Sequence, residues 1–426
     1  MVPHLTTALH GPLLELEQRI LEGSSAIERW FRLRWQAHES PFYTSVDLRN
    51  SGFKLAPVDT NLFPGGFNNL NAALIPLAVQ AATSLIDRLC PEARSLLLIP
   101  ENHTRNRWYL ENVAVLATIL RQTGLEVRLG SLNPEITAPT ELATAGGKKL
   151  VVEPLKRAGS RLGLEGFDPC AILLNNDLSS GIPEILRDLS GQVLLPPLHA
   201  GWALRTKSRH FHAYDEVAAD FAQLLRIDPW LVNPYHAQCG EIDFQARAGE
   251  ECLASNVSML LEKIRIKYLE YGIRDTPYVA VKADAGTYGM GVMMVRDASE
   301  VRDLNRKQRN KMAVVKEGLV VSNVIIQEGV HTVERIEDKV AEPVVYMIGQ
   351  HVIGGFYRVH GARGAEDNLN APGMHFVPLA FAESCTLPDP RASCDAPPNR
   401  FYAYGVVGRL AAAGAALELE RAAPTA

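Results

Sequence analysis

The stretch that decides the fold is Tyr278-Val-Ala-Val-Lys-Ala-Asp-Ala-Gly-Thr-Tyr-Gly-Met-Gly-Val-Met-Met-Val295. A β-branched apolar strand ends on Lys282, a loop with glycines at 286, 289 and 291 follows, and a second apolar strand closes the segment. Glycines at this spacing let backbone N–H groups turn toward an anion, and the lysine adds a point charge. The pattern therefore predicts a strand–loop–strand hairpin that lies over a triphosphate.

Two better-known phosphate motifs do not match this stretch. No Lys-Ser/Thr pair follows the last glycine, which excludes the Walker pattern, and a strand rather than a helix follows the loop, which excludes the dinucleotide fingerprint. An ordinary glycine-rich hairpin with no ligand is the alternative. The segments further along the chain favour the nucleotide interpretation.

The composition describes an ordinary globular protein of more than one domain. A chain of 426 residues is too long for one ordinary core and suggests two or three domains. A net charge of −5 argues against a nucleic-acid partner held by bulk electrostatics. The six cysteines are far apart and lack Cys-x-x-Cys spacing, which disfavours a disulfide framework or a zinc site. The first residues lack a signal-peptide pattern and no apolar run approaches the ~20 residues of a membrane span, so we expect a cytoplasmic protein without a membrane partner.

Hydrophobic periodicity predicts a layered α/β region in the first half of the chain. Amphipathic helices are expected within residues 10–37. A strand at 94–100, a helix at 105–123 that stops at Gly124, and a strand at 125–129 form a β-α-β unit with a right-handed crossover. Further strands are expected at 149–154, 170–174 and 192–196, with a short helix at 182–189.

The second half is predicted to have a different organisation. The expected elements are a long helix at 251–271, the hairpin at 278–295, a helix at 297–312, a strand at 319–327, a strand pair at 343–359 and an Ala-rich helix at 402–420. The predicted domains are 1–135, with the opening helices and a substrate-binding lobe, 136–250, a second α/β lobe, and 251–426, a nucleotide-binding module.

Three segments of the second half suit nucleotide and metal binding. Val324-Ile-Ile-Gln-Glu-Gly-Val330 is a strand whose polar end can offer backbone groups to an adenine edge, while Glu328 accepts from the ribose. Arg358 ends a strand and can neutralise a transferring phosphoryl group, although a surface ion pair is the alternative. Carboxylate and amide oxygens suit Mg²⁺, and the candidate ligands are Glu342, Asp367 and Asn370.

Polar clusters in the first half predict a pocket for a charged small molecule. Residues 45–69 mix acids, bases and asparagines with aromatic side chains, a combination unusual for a solvated loop. Polar residues also follow three successive strands, where parallel sheets bind ligands. The candidate substrate-binding residues are Asp47, Arg49, Lys54, Asp59, Asn61, Asn68, Asn69, Glu101, His103, Arg105, Asn175, Asn176, His199 and Arg205.

Covalent catalysis by the protein has no support in the sequence, because no Ser-His-Asp or Cys-His arrangement stands out. A lone histidine at a strand end is more often structural than a base. The roles of His103, His199, His210 and His212 stay open.

These segments resemble the ATP-grasp ligases, and more specifically the proteobacterial GshA-type glutamate–cysteine ligase family. The lysine-ended strand with its Gly-rich hairpin, the strand exit at 327–330 and the run from Val345 through Arg358 to Asn370 carry the superfamily likeness. The closer likeness lies in Pro57-Val-Asp-Thr-Asn-Leu-Phe-Pro-Gly-Gly-Phe-Asn-Asn69, Pro100-Glu-Asn-His-Thr-Arg105 and Leu174-Asn-Asn-Asp177. It extends over nearly the whole chain.

The resemblance implies an α/β fold in which a pre-ATP-grasp region precedes an ATP-grasp module with its hairpin over the nucleotide. It implies that ATP phosphorylates the γ-carboxylate of glutamate and that the amine of cysteine attacks the acyl phosphate. Lys282 and Arg358 are then the catalytic residues, Mg²⁺ is the metal, and the amino acids bind to the polar N-terminal segments. The implied nucleotide-binding residues are Lys282, Gly286, Thr287, Tyr288, Gly289, Met290, Gly291, Gln327, Glu328, Gly329 and Val330.

One departure from the ATP-grasp pattern concerns the metal. These enzymes usually carry a metal-binding carboxylate on a late strand, whereas the residues after 379 are predicted to be a loop and a helix. Two alternatives stay open: another ATP-grasp carboxylate–amine ligase, such as a glutathione synthetase-like enzyme, and a nucleotide-binding regulator without catalysis. The expected partners are small molecules, and a homo-oligomer is possible.

Overall fold

The computed structural model describes residues 12–286, 291–313, 321–378 and 402–424, which form a mixed α/β fold with several sheets. The helices are α1 Pro12–Glu22, α2 Ser24–Ala37, α3 Ile75–Leu89, α4 Arg107–Gln122, α5 Lys207–Leu225, α6 Glu250–Glu270, α7 Ser299–Arg302, α8 Arg306–Ala313 and α9 Tyr402–Ala422. The strands are β1 Tyr43–Asn50, β2 Leu55–Asn61, β3 Ser95–Pro100, β4 Glu126–Ser131, β5 Thr140–Ala143, β6 Lys149–Pro154, β7 Lys156–Ala158, β8 Arg161–Gly163, β9 Ala171–Asn175, β10 Val193–Leu195, β11 His236–Cys239, β12 Val279–Ala283, β13 Val292–Val295, β14 Val324–Glu328, β15 Arg335–Ile336, β16 Lys339–Ile348, β17 His351–His360 and β18 Met374–Pro378.

The first sheet joins the two ends of the chain. Its order is β18-β17-β16-β1-β2, with β15 paired to β16, and all pairs are antiparallel. Asp47 on β1 lies opposite Asp59 on β2, and Glu342 on β16 lies opposite Arg358 on β17. Charged side chains that are far apart in the sequence are therefore neighbours on this sheet.

The second sheet is the parallel one that the sequence predicts. Its order is β10-β9-β3-β4-β6-β5, and only β5 runs antiparallel to its neighbour. The β3-α4-β4 unit is confirmed, since β3 pairs in parallel with β4. The chain returns to the other side of β3 with β9, so the topological switch point lies between these two strands.

The third sheet is antiparallel, with the order β11-β14-β12-β13. Strands β12 and β13 flank the Gly-rich segment, and Lys282 lies opposite Val292. Residues 287–290 of that segment lie outside the described residues. Strands β7 and β8 form a separate two-stranded sheet.

The Ala-rich C-terminal helix α9 is confirmed as a helix and is buried along most of its length. Its small residues permit close packing: a Cβ at Gly408 would lie 3.1 Å from Val345, and one at Gly414 would lie 3.1 Å from Tyr214 on α5. Arg409 ties the helix to α2 through two hydrogen bonds to Glu28, at 2.8 and 2.7 Å. This helix is therefore a core element.

The helices differ from the expected elements in several places. The segment 297–312 forms two helices because Asn305 begins a second one: its side chain accepts from Gln308 N at 3.0 Å, and Gln308 Oε1 accepts from Asn305 N at 2.9 Å. The short helix expected at 182–189 is a single 3₁₀ turn, Glu184–Leu186. Helices α3 and α5 were not predicted.

The three-part division of the chain is not tested by these contacts and stays a proposal. The first sheet combines strands from the first and third parts, and the second sheet combines strands from the first and second. One helical stretch, Ala72–Leu89, is long and apolar enough to cross a membrane by composition alone, a property that core helices of soluble proteins share. Part of this stretch is α3, which packs against β16 and β17.

Candidate active site

A cleft of about 730 Å³, including its open mouth, is lined by residues of the first and third sheets. It collects predicted nucleotide, substrate and metal residues in one place. The predicted residues that line it are Asp47, Arg49, Asp59, Lys282, Gly286, Gln327, Glu328, Gly329, Val330, Glu342, Arg358 and Asn370. The cleft is therefore the candidate active site.

Lys282 projects from β12 into this cleft. Its ammonium donates to Val58 O at 2.8 Å and to Gln327 Oε1 at 2.5 Å. Burial lowers the pKa of Lys282 to about 8, although the nearby carboxylate of Asp59 acts in the opposite direction. Gln327 Nε2 is buried and has no hydrogen-bond partner among the described residues. The cleft therefore offers this amide N–H donor to a ligand, next to the Lys282 ammonium.

A second lysine, which the sequence analysis missed, lies beside the first. Lys207 Nζ contacts Asp59 Oδ1 at 2.6 Å, and the ammonium lies over the Trp202 ring, 4.6 Å from its centroid. Burial alone would raise the pKa of Asp59, but Lys207 and Lys282 together lower it to about 2. Asp59 is therefore a carboxylate held ionised between two ammonium groups.

Asp284 connects the Gly-rich segment to the start of α5. Its backbone oxygen accepts from Lys207 N at 2.7 Å. Its carboxylate accepts from Ser208 N at 2.8 Å and from Ser208 Oγ at 2.7 Å. An acidic group beside the first turn of a helix is favoured by the helix dipole. Because Asp284 follows Lys282 by two residues, its contacts hold the start of α5, with Lys207, close to Lys282.

Arg358 and Arg49 form an alternating network with two carboxylates. Arg358 Nη1 donates to Asp47 Oδ2 at 2.9 Å and to Glu342 Oε1 at 2.6 Å, and Arg49 Nε donates to Glu342 Oε2 at 2.9 Å. Burial alone would raise the pKa of Glu342, but the two guanidinium groups lower it overall. Burial raises the pKa of Asp47, because one arginine offsets only part of the desolvation. Arg358 Nε is buried without a partner among the described residues.

Two of the three predicted magnesium ligands, Glu342 and Asp367, have other partners in this structure. Both carboxylate oxygens of Glu342 contact arginines, and Asp367 Oδ2 accepts from Gly364 N at 2.8 Å. Asn370 lines the cleft. Within the described part of the chain, no group of three or more His, Cys, Asp or Glu side chains could hold a metal ion. As they are paired here, these residues do not fit a magnesium site.

Lys54 and Glu328 form a buried ion pair behind the cleft. Lys54 Nζ contacts Glu328 Oε2 at 2.7 Å and lies 4.3 Å from the centroid of the Trp230 ring. Glu328 also accepts from Trp230 Nε1 at 3.0 Å and from Tyr235 N at 2.9 Å. Lys54 is fully buried and does not line the cleft, so its contacts here are structural.

The polar residues after β3 and β9 lie at the switch point of the second sheet and do not line the cleft. Asn175 donates to Pro64 O at 2.9 Å, Glu101 Oε1 accepts from Asp177 N at 3.0 Å, and the His103 ring packs edge-on against Tyr109. These contacts hold together the loops that follow the two strands. The other predicted substrate residues that do not line the cleft are Asn61, Asn68, Asn69, Arg105, Asn176, His199 and Arg205.

Arg205 and two of the histidines contact α9. Arg205 donates from Nε to both oxygens of Glu418 at 3.0 and 3.2 Å, and from Nη1 to Thr60 O at 2.8 Å. His210 Nδ1 lies 3.2 Å from Glu418 Oε2, and His199 Nε2 lies 3.1 Å from Leu419 O. In this structure these side chains link β2 and α5 to the C-terminal helix, and His212 is exposed on α5.

A sequence model of the glutamate–cysteine ligase family (GshA) matches residues 17–419. The chain belongs to this family. It is an ATP-dependent ligase of glutamate and cysteine, and the resemblance noted from the sequence is confirmed.

A solved structure agrees with this family. The crystal structure of a protein from Methylobacillus flagellatus KT, provisionally named a gamma-glutamylcysteine synthetase, is 64% identical, covers 99% of each chain and has a TM-score of 0.90. A glutathione synthetase-like effector from Globodera pallida is 10% identical over 82% of this chain and 77% of its own, with a TM-score of 0.33, a likeness too low to support a conclusion. No curated protein matches the chain.

Several residues of this ligase's cleft were missed because the sequence offers little signal for them. The missed lining residues are Val58, Lys207, Tyr278, Ala280, Ala283, Val292, Met294 and Asn368. Most are ordinary strand residues that face the cleft only because of register. Lys207 is an exception, since it lies in a basic segment after a predicted strand, and the switch-point rule could have included it.

Proposed function

We propose that the cleft is the catalytic centre, in which ATP phosphorylates the γ-carboxylate of glutamate and cysteine then attacks the γ-glutamyl phosphate. The observation that carries this proposal is the convergence of three cations, Lys207, Lys282 and Arg358, with the carboxylates of Asp47 and Asp59 in one cleft. A carboxylate is a poor electrophile until one oxygen becomes a leaving group, and phosphate supplies that group. The task of the protein is then positioning and charge stabilisation.

The third sheet is proposed as the nucleotide-binding part of an ATP-grasp module. Lys282 contacts the phosphates, the segment from Gly286 to Gly291 covers them, and the strand exit 327–330 receives the adenosine. The contact of Lys282 with Gln327 supports this arrangement, because it brings the phosphate cation beside the strand exit. We do not propose the Glu328 carboxylate as the acceptor for the ribose, because it is buried and forms an ion pair with Lys54.

The first sheet is proposed to hold the reacting groups. Arg358 stabilises the transferring phosphoryl group, since a planar guanidinium can contact two oxygens at once. The amine of cysteine must lose a proton before it attacks. Asp47 is the proposed acceptor of that proton, because its pKa is raised whereas that of Asp59 is lowered to about 2.

Magnesium remains a proposal, and no step above depends on it. Phosphoryl transfer from ATP generally uses this ion, and Glu342, Asp367 and Asn370 are the ligands that the sequence predicts for it. The arginine contacts of Glu342 are the observation against this set. A cytoplasmic location, the lack of nucleic-acid and membrane partners, and a homo-oligomeric state likewise stay predictions.

The acyl phosphate is tested with glutamate that carries ¹⁸O in its γ-carboxylate. We expect one ¹⁸O atom in each phosphate released when ATP, labelled glutamate and cysteine are all present, and no ADP release when cysteine is replaced by an amino acid that the enzyme rejects. Unlabelled phosphate would contradict the intermediate.

Two outcomes of the same assay would favour the alternatives. Turnover with γ-glutamylcysteine and glycine, but not with glutamate and cysteine, would indicate a glutathione synthetase-like ligase. ATP binding without ADP release for any amino-acid pair would indicate a regulator.

A further inference from the structure

Away from the cleft, Cys239 and Cys252 bring two thiol groups into contact. Their sulfur atoms lie 3.7 Å apart, and both thiols are free. Cys239 is the last residue of β11 and is buried, whereas Cys252 lies in the first turn of α6 and is exposed. Neither residue lines the cleft, so the proposed reaction makes no use of this pair.

A third side chain holds the two sulfurs in place. Asn256 lies one turn further along α6, and its Nδ2 donates to Cys239 Sγ at 3.0 Å and to Cys252 O at 3.1 Å. The same nitrogen lies 3.6 Å from Cys252 Sγ. A disulfide requires a sulfur separation of about 2 Å, so its formation closes the present gap of 3.7 Å.

We propose that Cys252 and Cys239 form a site of thiol–disulfide exchange that reacts with low-molecular-weight disulfides such as cystine. The exposed Cys252 thiolate attacks one sulfur of the small disulfide and releases the first small thiol. Cys239 then attacks the Cys252 sulfur, and its proton goes to the departing small thiolate, which leaves as the second small thiol. The two protein thiols are oxidised to one disulfide, and the small disulfide is reduced to two thiols.

The pair is connected to the cleft through the residue before Cys239. Gln238 Nε2 donates to Asp284 Oδ2 at 3.1 Å, and Asp284 also holds the start of α5. A disulfide between β11 and α6 therefore constrains a strand that contacts the candidate phosphate site. It also restricts the unfolded chain, so we expect a higher melting temperature.

The experiment uses the full chain, reduced, freed of reductant and incubated with cystine. Free thiols are then alkylated, and the protein is digested without reduction for mass spectrometry. We expect a peptide pair linked through Cys239 and Cys252, and a melting temperature several degrees above that of the reduced chain. Dithiothreitol should reverse both changes.

The variant Cys252→Ser should show neither the linked peptides nor the cystine-dependent rise in melting temperature. The matched control Cys90→Ser, which removes a half-buried thiol elsewhere, should behave as the unsubstituted chain does. The proposal is overturned if Cys252 retains a single cysteinyl adduct, if it links to Cys385 or Cys394, or if the chain does not react. None of these measurements requires ligase turnover. A negative result here would therefore not contradict the proposed function, and failure of the proposed function would not change these measurements.

Discussion

Replacing Lys282 with methionine tests the role of the cleft most directly. The side chain keeps a similar length but loses the charge that contacts Val58 O and Gln327 Oε1. A charge-assisted hydrogen bond to a phosphate that strengthens in the transition state is worth about 3 kcal/mol, or roughly 100-fold in rate. We therefore expect kcat/KM for ATP to fall by about 100-fold or more.

The same substitution should leave the protein at least as stable as before. Lowering the pKa of Lys282 from 10.5 to about 8 means that the folded protein disfavours the charged form by about 3 kcal/mol. The unfolded chain binds more protons between pH 8 and pH 10.5, so this cost is fully present below pH 8 and disappears as the pH rises toward 10.5. The Lys282→Met variant should therefore be more stable than the unsubstituted chain at pH 7, and that advantage should shrink at pH 9.5.

The assays are ADP release for activity and urea unfolding at pH 7 and pH 9.5 for stability. Lys263→Met is the matched control, since Lys263 is exposed on α6, and it should change neither quantity. For the unsubstituted enzyme, kcat/KM for ATP should fall roughly tenfold per pH unit above 8, as the free lysine loses its proton. Full activity of Lys282→Met would refute this account. So would a fall in its free energy of unfolding at pH 7 by about 3 kcal/mol, the same size as the expected loss of transition-state stabilisation.

Three further substitutions extend the test. Arg358→Lys removes the planar fork and should lower kcat at least tenfold with little change in ATP affinity, measured by steady-state kinetics; an equal loss of affinity would contradict it. Lys54→Met leaves Glu328 as an unpaired buried carboxylate and should lower the free energy of unfolding by about 3–5 kcal/mol, measured in urea; a neutral effect would contradict it. Asp59→Asn removes the carboxylate that helps to keep Lys282 protonated, so the alkaline fall in kcat/KM should begin at a lower pH; an unshifted profile would contradict it.

Segments with strong hydrophobic periodicity could be predicted from the sequence, whereas the pairing of strands that are far apart in the chain could not. The β3-α4-β4 unit, α6 and α9 follow from their apolar spacing, and all three are present. The first sheet was not predicted as a unit, because β1 pairs with β16, a strand that comes nearly three hundred residues later. Side-chain periodicity shows that a segment is a strand but does not identify its partner.

The candidate active site shows the same limit, because the sequence does not show which segments become neighbours. Lys282 and Arg358 could be chosen because each follows a run of apolar residues in a recognisable pattern, and both line the cleft. The predicted residues at the switch point of the second sheet were chosen by a rule that holds for parallel sheets. In this structure that edge is occupied by internal hydrogen bonds, and the cleft lies between residues of two antiparallel sheets instead.

The cations of an anion-binding site need negative groups beside them while no ligand is bound. This need explains the paired charges in the cleft. Buried lysine and arginine side chains would be costly to desolvate alone. Lys207 pairs with Asp59, and Arg358 pairs with Asp47. Lys282 donates to two neutral oxygens instead and interacts with Asp59 only through its charge. The charge of Asp59 raises the pKa of Lys282 and so opposes the effect of burial while no phosphate is bound. A triphosphate that enters brings negative charge to the same ammonium groups and takes over that role. The Asp59→Asn experiment measures this pre-organisation, because the variant lacks a carboxylate that raises the pKa of Lys282 before the substrate binds.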